Sequence, residues 1–234
     1  MPVPRTVPVY LEVARKRTFA GAIDWPGWSR SGRDEATALG ALADHAARYA
    51  RALRGTRLGF TAVDDPAAFG VVERAVGDST TDFGAPSITP EADHRPVDER
   101  ELHRMQTILR ACWRAFDAAV AGAKGADLRK GPRGGGRELD AIVLHVLSAE
   151  TAYLSRLGHR HRLDPQGDAN GELASLRTAV LDGLVSAVRD GVPEAGPRGG
   201  ARWTPRYFTR RTAWHVLDHA WEIEDRAGPV GPDR

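Results

Sequence analysis

Four long segments in the second half of the chain repeat apolar residues at helical spacing. In the first of them, Leu102, Met105, Leu109 and Phe116 fall on one face. The spacing predicts helices over about 98–123, 138–157, 171–189 and 206–226. Each helix then has one apolar face to bury, and four such helices in so short a stretch are typical of an all-α four-helix bundle.

The first part of the chain has a different pattern, in which apolar and polar residues alternate. Val7, Val9 and Leu11 share one side of a predicted strand, and 18–24 reads as the second strand of a hairpin. An amphipathic helix over about 34–53 and a further strand over 69–76 follow. These elements predict a small α+β domain, a sheet with one main helix.

The boundary between the two patterns lies in 84–97, which contains three prolines and almost no periodicity. We therefore divide the chain into an α+β domain over 1–83, a linker over 84–97 and a four-helix bundle over 98–234.

The charge balance and the single cysteine limit the classes of partner that we expect. Thirty-three basic and 31 acidic residues give a net charge of +2, and residues 1–97 carry 12 of each sign, so we expect no nucleic-acid partner. No apolar run reaches the roughly 18–20 residues of a membrane helix, so we expect no membrane association. Cys112 has no second cysteine to pair with, and the N-terminus lacks a secretory pattern, which together predict a cytoplasmic location. The Arg-rich and Ala-rich composition of the chain predicts a bacterial source.

Histidines in two of the predicted helices could form a metal site. His215 and His219 are separated by four residues, which places both imidazoles on one helical face. His145, in the second predicted helix, has small neighbours at helical spacing, and alternate helices of an up-down bundle run in the same direction. Three converging imidazoles with coordination positions left over are typical of a catalytic metal site. The alternative is a set of hydrogen-bonded, inert histidines.

Other charged residues are candidates for supporting roles around this site. Glu222, one turn beyond His219, could orient its imidazole, or else form a surface ion pair. Two similar glycine-rich segments, GPRGGGR at 131–137 and GPRGGAR at 196–202, precede the second and fourth predicted helices. They provide four candidate residues for binding an anionic substrate, although solvated loops are the alternative: Arg133, Arg137, Arg198 and Arg202.

The helical half resembles a known superfamily over about 98–227. Its motifs are DAIVLHVLSAETAYL, with His145, and RRTAWHVLDHAWEIEDR, with His215 and His219, and they resemble the DinB/YfiT-like metal-binding bundles. The resemblance implies a metal ion at the three histidines. It also implies an activity like that of the metal-dependent thiol transferases that use mycothiol or bacillithiol, or of the mycothiol-dependent maleylpyruvate isomerase.

The N-terminal half resembles a second family. The hairpin, the turn IDWPGWSRSG and the helix RDEATALGALADHA are similar to a HicB-type antitoxin domain. This resemblance implies a binding or regulatory role toward RNA or a protein partner.

The sequence therefore favours a metal-dependent thiol S-transferase or thiol-dependent isomerase acting on a small-molecule electrophile. A free thiol with a pKa of about 8.5 is only a few per cent thiolate at neutral pH, and a divalent cation held by neutral imidazoles would deprotonate it. We expect zinc, nickel or iron as the metal and a thiol such as mycothiol as co-substrate. A non-enzymatic HicB-like binding protein and a metal-dependent hydrolase are the alternatives. The catalytic residues stay unassigned, and a homodimer stays open.

Overall fold

The computed structural model shows a small mixed sheet in the N-terminal part of the chain and mainly helices in the rest. It describes residues 6–130, 136–164, 166–194 and 200–227. No helix in these ranges is long and apolar enough to cross a membrane.

The chain folds as two compact units, each assembled from two separate segments. Unit 1 consists of Met1–Ala111 and Thr204–Trp214. Unit 2 consists of Cys112–Trp203 and His215–Arg234.

The sheet of unit 1 has four strands, β1 (Val7–Val13), β2 (Thr18–Ala22), β3 (Ser29–Gly32) and β4 (Phe69–Val76). Their order is β3-β2-β1-β4, with β1 antiparallel to β2, β2 antiparallel to β3, and β1 parallel to β4. A turn between β2 and β3 uses Gly27 at a φ of 95°, a backbone conformation that glycine adopts without strain. The predicted hairpin and the strand at 69–76 are present, whereas the short polar strand β3 was not predicted.

The helical layer of unit 1 differs from the single helix predicted over 34–53. The structure has α1 (Glu35–Asp44) and α2 (Ala46–Ala52), with a break at His45. Asp34 begins α1 by accepting a hydrogen bond from the Thr37 backbone N–H. At the break, the His45 Nδ1 atom lies 2.9 Å from the Ala41 carbonyl, and the His45 backbone N–H bonds instead to Leu42. The side chain thus takes the acceptor that an uninterrupted helix would use.

Strand β1 is buried on both faces, where the alternation predicted one buried face. Tyr10 and Glu12 are almost fully enclosed, as are their neighbours Val9 and Leu11. The Arg210 guanidinium lies 5.3 Å from the Tyr10 ring centre. It also donates to the Ala22 and Ile23 carbonyls and pairs with the buried Asp93 carboxylate at 2.6 and 2.7 Å. A cation from the second segment of unit 1 therefore completes this core.

Residues 84–97, predicted as a linker, make specific contacts within unit 1. The short helix α3 (Ser79–Phe83) precedes them, and a 3₁₀ turn covers Glu91–His94. The buried Glu12 carboxylate accepts hydrogen bonds from the backbone N–H groups of Ser87 and Ile88. The segment is thus held by a side chain of β1.

Four long helices account for most of the remaining chain. They are α4 (Glu99–Gly122), α5 (Leu139–Arg156), α6 (Ala169–Arg189) and α7 (Pro205–Ala227). Their ends agree with the predicted helices to within about two residues, the usual uncertainty of a helix boundary. Helices α4 and α7 each contribute residues to both units, whereas α5 and α6 lie wholly in unit 2.

The interior of unit 2 combines an apolar core with one buried carboxyl group. Side chains of α5 and α6 supply much of the apolar part, including Ile142, Val146, Leu154, Leu176, Val180 and Leu184. Glu150 of α5 is fully enclosed, and its Oε1 atom accepts a hydrogen bond of 2.8 Å from the Trp113 indole. Burial raises the pKa of Glu150 to about 7.

Candidate metal centre

Helix α5 and the part of α7 that belongs to unit 2 bring three histidines together. His145 extends from α5, and His215 and His219 extend from successive turns of α7. The Nε2 atoms of His145 and His215 are 3.2 Å apart, and one ring nitrogen from each of the three histidines lies within 4.8 Å of the others. No other cluster of this kind is found in the described parts of the chain. The group could hold a metal ion.

The spacing of the nitrogens agrees with the chemistry of imidazole ligands. Two nitrogens bound to one tetrahedral zinc ion at about 2.0–2.1 Å lie about 3.3 Å apart, close to the 3.2 Å between His145 and His215. The third nitrogen lies within 4.8 Å of the other two, so a small movement of one ring would bring all three to the same point. His215 and His219 are 6% and 8% exposed, whereas His145 is more accessible. Two of the three imidazoles are thus buried, and the third is partly exposed to solvent.

The environment of His145 favours the neutral form of its ring. Burial of the ring, followed by the charges of His219 and Arg137, lowers the pKa of His145, and the charge of Glu222 opposes this effect. A neutral imidazole keeps a lone pair on its unprotonated nitrogen, which a metal ligand requires.

Glu222 forms a hydrogen bond with one of the three histidines. Its Oε2 atom lies 2.8 Å from His219 Nδ1, so this nitrogen donates to the carboxylate and Nε2 is left for a metal. The hydrogen bond from His219, together with Arg226, holds the pKa of Glu222 below its usual range. This hydrogen bond is the contact that an orienting role would use, and the role itself stays a prediction.

An aromatic pair borders the cluster. The Tyr153 ring of α5 meets His215 edge to face, with ring centres 5.5 Å apart, and its other neighbour is Trp203 at 5.1 Å. Sequence reasoning assigned Tyr153 to the apolar stripe of its helix. Its position two turns beyond His145 on α5 was the signal that could have marked it as part of the site.

The four arginines that the sequence suggested for binding an anionic substrate differ in what the structure shows of them. Arg133 and Arg198 lie outside the described residues. The Arg137 side chain is exposed, and its charge acts on His145 as noted above. Arg202 donates to backbone carbonyls of Ser155, Pro193 and Glu194, so its guanidinium is engaged with the chain itself. Binding of an anionic substrate by these arginines stays a prediction.

Cys112 is not suited to act as a nucleophile in the fold. It is fully buried, and burial together with the charge of Glu150 raises the pKa of its thiol far above the usual range. A thiol nucleophile near the histidines would therefore have to come from a co-substrate.

No family model, no curated protein and no solved structure matches this chain. The two resemblances therefore rest on the motifs themselves, and what the centre can do has to be argued from its own geometry.

Proposed function

We propose that this chain is a metal-dependent thiol S-transferase or thiol-dependent isomerase, with its helical half arranged as a DinB-like four-helix bundle. The observation that carries the proposal is the convergence of His145, His215 and His219, with His219 aligned by Glu222. Three neutral ligands leave a divalent ion such as zinc, nickel or iron with its full charge and with coordination positions for a further ligand.

A divalent ion bound there would lower the pKa of a coordinated thiol and so raise its thiolate fraction at neutral pH. The chain itself supplies position and environment. His215 and His219 fix the binding point from a buried helix face, and Glu222 prevents the His219 ring from turning. The edges of Tyr153 and Trp203 offer an apolar surface beside His215 for the carbon skeleton of a substrate.

The proposed reaction is the attack of a thiol sulfur, such as that of mycothiol, on a small electrophile. The sulfur lone pair forms a new S–C bond as the thiol proton passes to solvent. In the transferase reaction the leaving group departs with its bonding electron pair and the thioether is the product. In the isomerase reaction the adduct isomerises, the S–C bond then breaks, and the released thiolate takes a proton back from solvent. The exposed cation of Arg137 would favour an electrophile that carries a carboxylate.

Elemental analysis of the purified full-length chain tests the metal. We expect about one transition-metal ion per chain, and its loss in His145→Ala, His215→Ala and His219→Ala. The matched control is His103→Ala, which removes an exposed histidine of α4 and should leave the metal content unchanged.

Thiol consumption tests the chemistry. The metal-loaded chain is incubated with mycothiol and 1-chloro-2,4-dinitrobenzene, and the thioether product is followed by its absorbance. We expect turnover that disappears with the metal in His215→Ala and persists in His103→Ala. Full turnover by metal-free His215→Ala would refute the proposal, as would stoichiometric metal without any thiol chemistry toward a panel of electrophiles.

A further inference from the structure

The last turn of α7 carries a buried cation that connects the ligand-bearing helices. Arg226 lies one turn beyond Glu222 and is only 8% exposed. Its Nη1 atom donates to Glu222 Oε1 at 2.9 Å and to the Arg137 carbonyl at 2.8 Å. Its Nε atom donates to the Arg129 carbonyl at 2.7 Å. One guanidinium therefore bonds a carboxylate of the metal centre and two backbone carbonyls.

The two carbonyls belong to residues that precede α5 in the chain. Arg129 lies ten residues before the start of α5 at Leu139, and Arg137 lies two residues before it. Backbone pairing reinforces the first contact, because the Arg129 N–H donates to the Arg226 carbonyl at 3.0 Å. The Arg226 side chain thus joins α7, which carries His215 and His219, to the start of α5, which carries His145.

The backbone of Gly136 lies close to the Arg226 guanidinium. Its φ of +145° lies in a region that side chains disfavour. A Cβ atom at this position would lie 2.6 Å from Arg226 Nη2 and 2.8 Å from Cζ. Backbone and guanidinium are therefore in direct contact, and a larger residue would displace one of them.

We propose that Arg226 is a positioning residue that sets the metal affinity of this centre, by holding Glu222 against His219 and by fixing the start of α5 relative to α7. This inference rests on the proposed metal site. Both effects act on distances that coordination requires, since the ligands come from two helices and must meet at one point. Arginine suits the role because its planar fork reaches several acceptors at fixed angles, which a lysine ammonium does not.

The Arg137 side chain is exposed, whereas its backbone carbonyl accepts a hydrogen bond from Arg226. Loss of the hydrogen bond from Arg226 would therefore also affect the position of the Arg137 side chain. Moving the Arg137 backbone would also move the exposed cation that is proposed to attract a carboxylate.

Titration of the full-length, metal-free chain with Co²⁺ tests the inference, with affinity and the visible absorption spectrum as readouts. We expect Arg226→Lys to weaken Co²⁺ binding by about 10–100-fold, the usual effect of losing support for a ligand, and to change the band positions of the bound ion. The matched control is Arg177→Lys, which alters a paired arginine of the same unit and should leave affinity and spectrum as in the wild type.

Substitution of glycine residues gives a second test of the inference, in which every polar side chain is retained. Gly136→Ala should lower Co²⁺ affinity several-fold by displacing the guanidinium. Gly125 also has a positive φ, +80°, but nothing lies within 4 Å of an added methyl group, so Gly125→Ala should not change the affinity. If Arg226→Lys fails to fold, the difference in Co²⁺ affinity between Gly136→Ala and Gly125→Ala tests the inference instead.

Wild-type affinity and spectrum in both Arg226→Lys and Gly136→Ala would overturn the inference. Because the titration measures binding alone, that result would leave the thiol chemistry standing. Conversely, weakened Co²⁺ binding in these variants without any thiol turnover by the wild type would refute the proposed function and support the role of Arg226.

Discussion

Replacing Glu150 by glutamine tests how unit 2 tolerates a buried carboxyl group. The side chain is fully enclosed, and besides Trp113 the charged groups that act on it are Arg177 and Asp117. Its Oε2 atom has no hydrogen-bond partner in the described structure. Ionisation would therefore place a negative charge in a site with one neutral donor, and desolvation accordingly raises the pKa of Glu150 from its ordinary 4.5 to about 7.

The effect on stability follows from the difference between the folded and unfolded pKa. Below pH 4.5 both states are protonated and Glu150 costs nothing through ionisation. As the pH rises toward 7, the unfolded chain releases this proton while the folded chain retains it, so the free energy of unfolding falls. Between pH 5 and pH 8 this amounts to about 2–3 kcal/mol. Glutamine cannot ionise, so the Glu150→Gln variant should lack this part of the pH dependence.

Urea unfolding at several pH values between 5 and 8, at constant ionic strength, measures the difference. We expect the stability of the wild type to decline relative to Glu150→Gln over this range. The exposed Glu138→Gln is the control and should follow the wild type. The ¹⁵N-labelled indole of Trp113 provides a local probe, whose shift should titrate near pH 7 in the wild type only. Parallel stability curves, with a Trp113 signal that does not titrate, would refute the reasoning.

Three substitutions in unit 1 give further predictions about the free energy of unfolding, which denaturant titration of the full chain measures. Arg210→Met should destabilise the fold by about 3–5 kcal/mol, because Asp93 would remain buried without its cation; a loss below 1 kcal/mol would contradict this. Gly21→Ala should cost about 1–3 kcal/mol, since the new Cβ would lie 2.7 Å from Tyr10 Cζ. Gly40→Ala, in a helix with nothing within 4 Å of the added methyl, should instead stabilise by about 0.5–1 kcal/mol. Equal effects of the two alanines would show that contact with Tyr10 does not matter.

The sequence predicted those features that depend on periodicity. Apolar spacing located the four long helices because each must bury one face, whatever that face contacts. The spacing of His215 and His219 placed both rings on one side of α7, and the small residues around His145 suggested space beside it. The prediction that His145 joins them needed the further assumption that alternate helices of an up-down bundle run in the same direction.

Features that depend on backbone acceptors could not be predicted. Arg226 bonds carbonyls of Arg129 and Arg137, about 90 residues earlier in the chain, and any residue type presents the same carbonyl. Strand β3 forms through its backbone and has no apolar alternation. The burial of Glu12 likewise depends on N–H groups of Ser87 and Ile88, which leave no mark in the pattern of side chains.

The discontinuous make-up of unit 1 affects how this protein can be dissected. A fragment ending at residue 97 would retain Asp93 but lack Arg210, and would enclose an acid with no counter-charge. A fragment beginning at residue 98 would carry the first turns of α7 without the strands that they cover. Neither half is a natural piece to express alone, so deletion mapping would report the behaviour of damaged protein. Point substitutions in the intact polypeptide are the appropriate tool for assigning its activities.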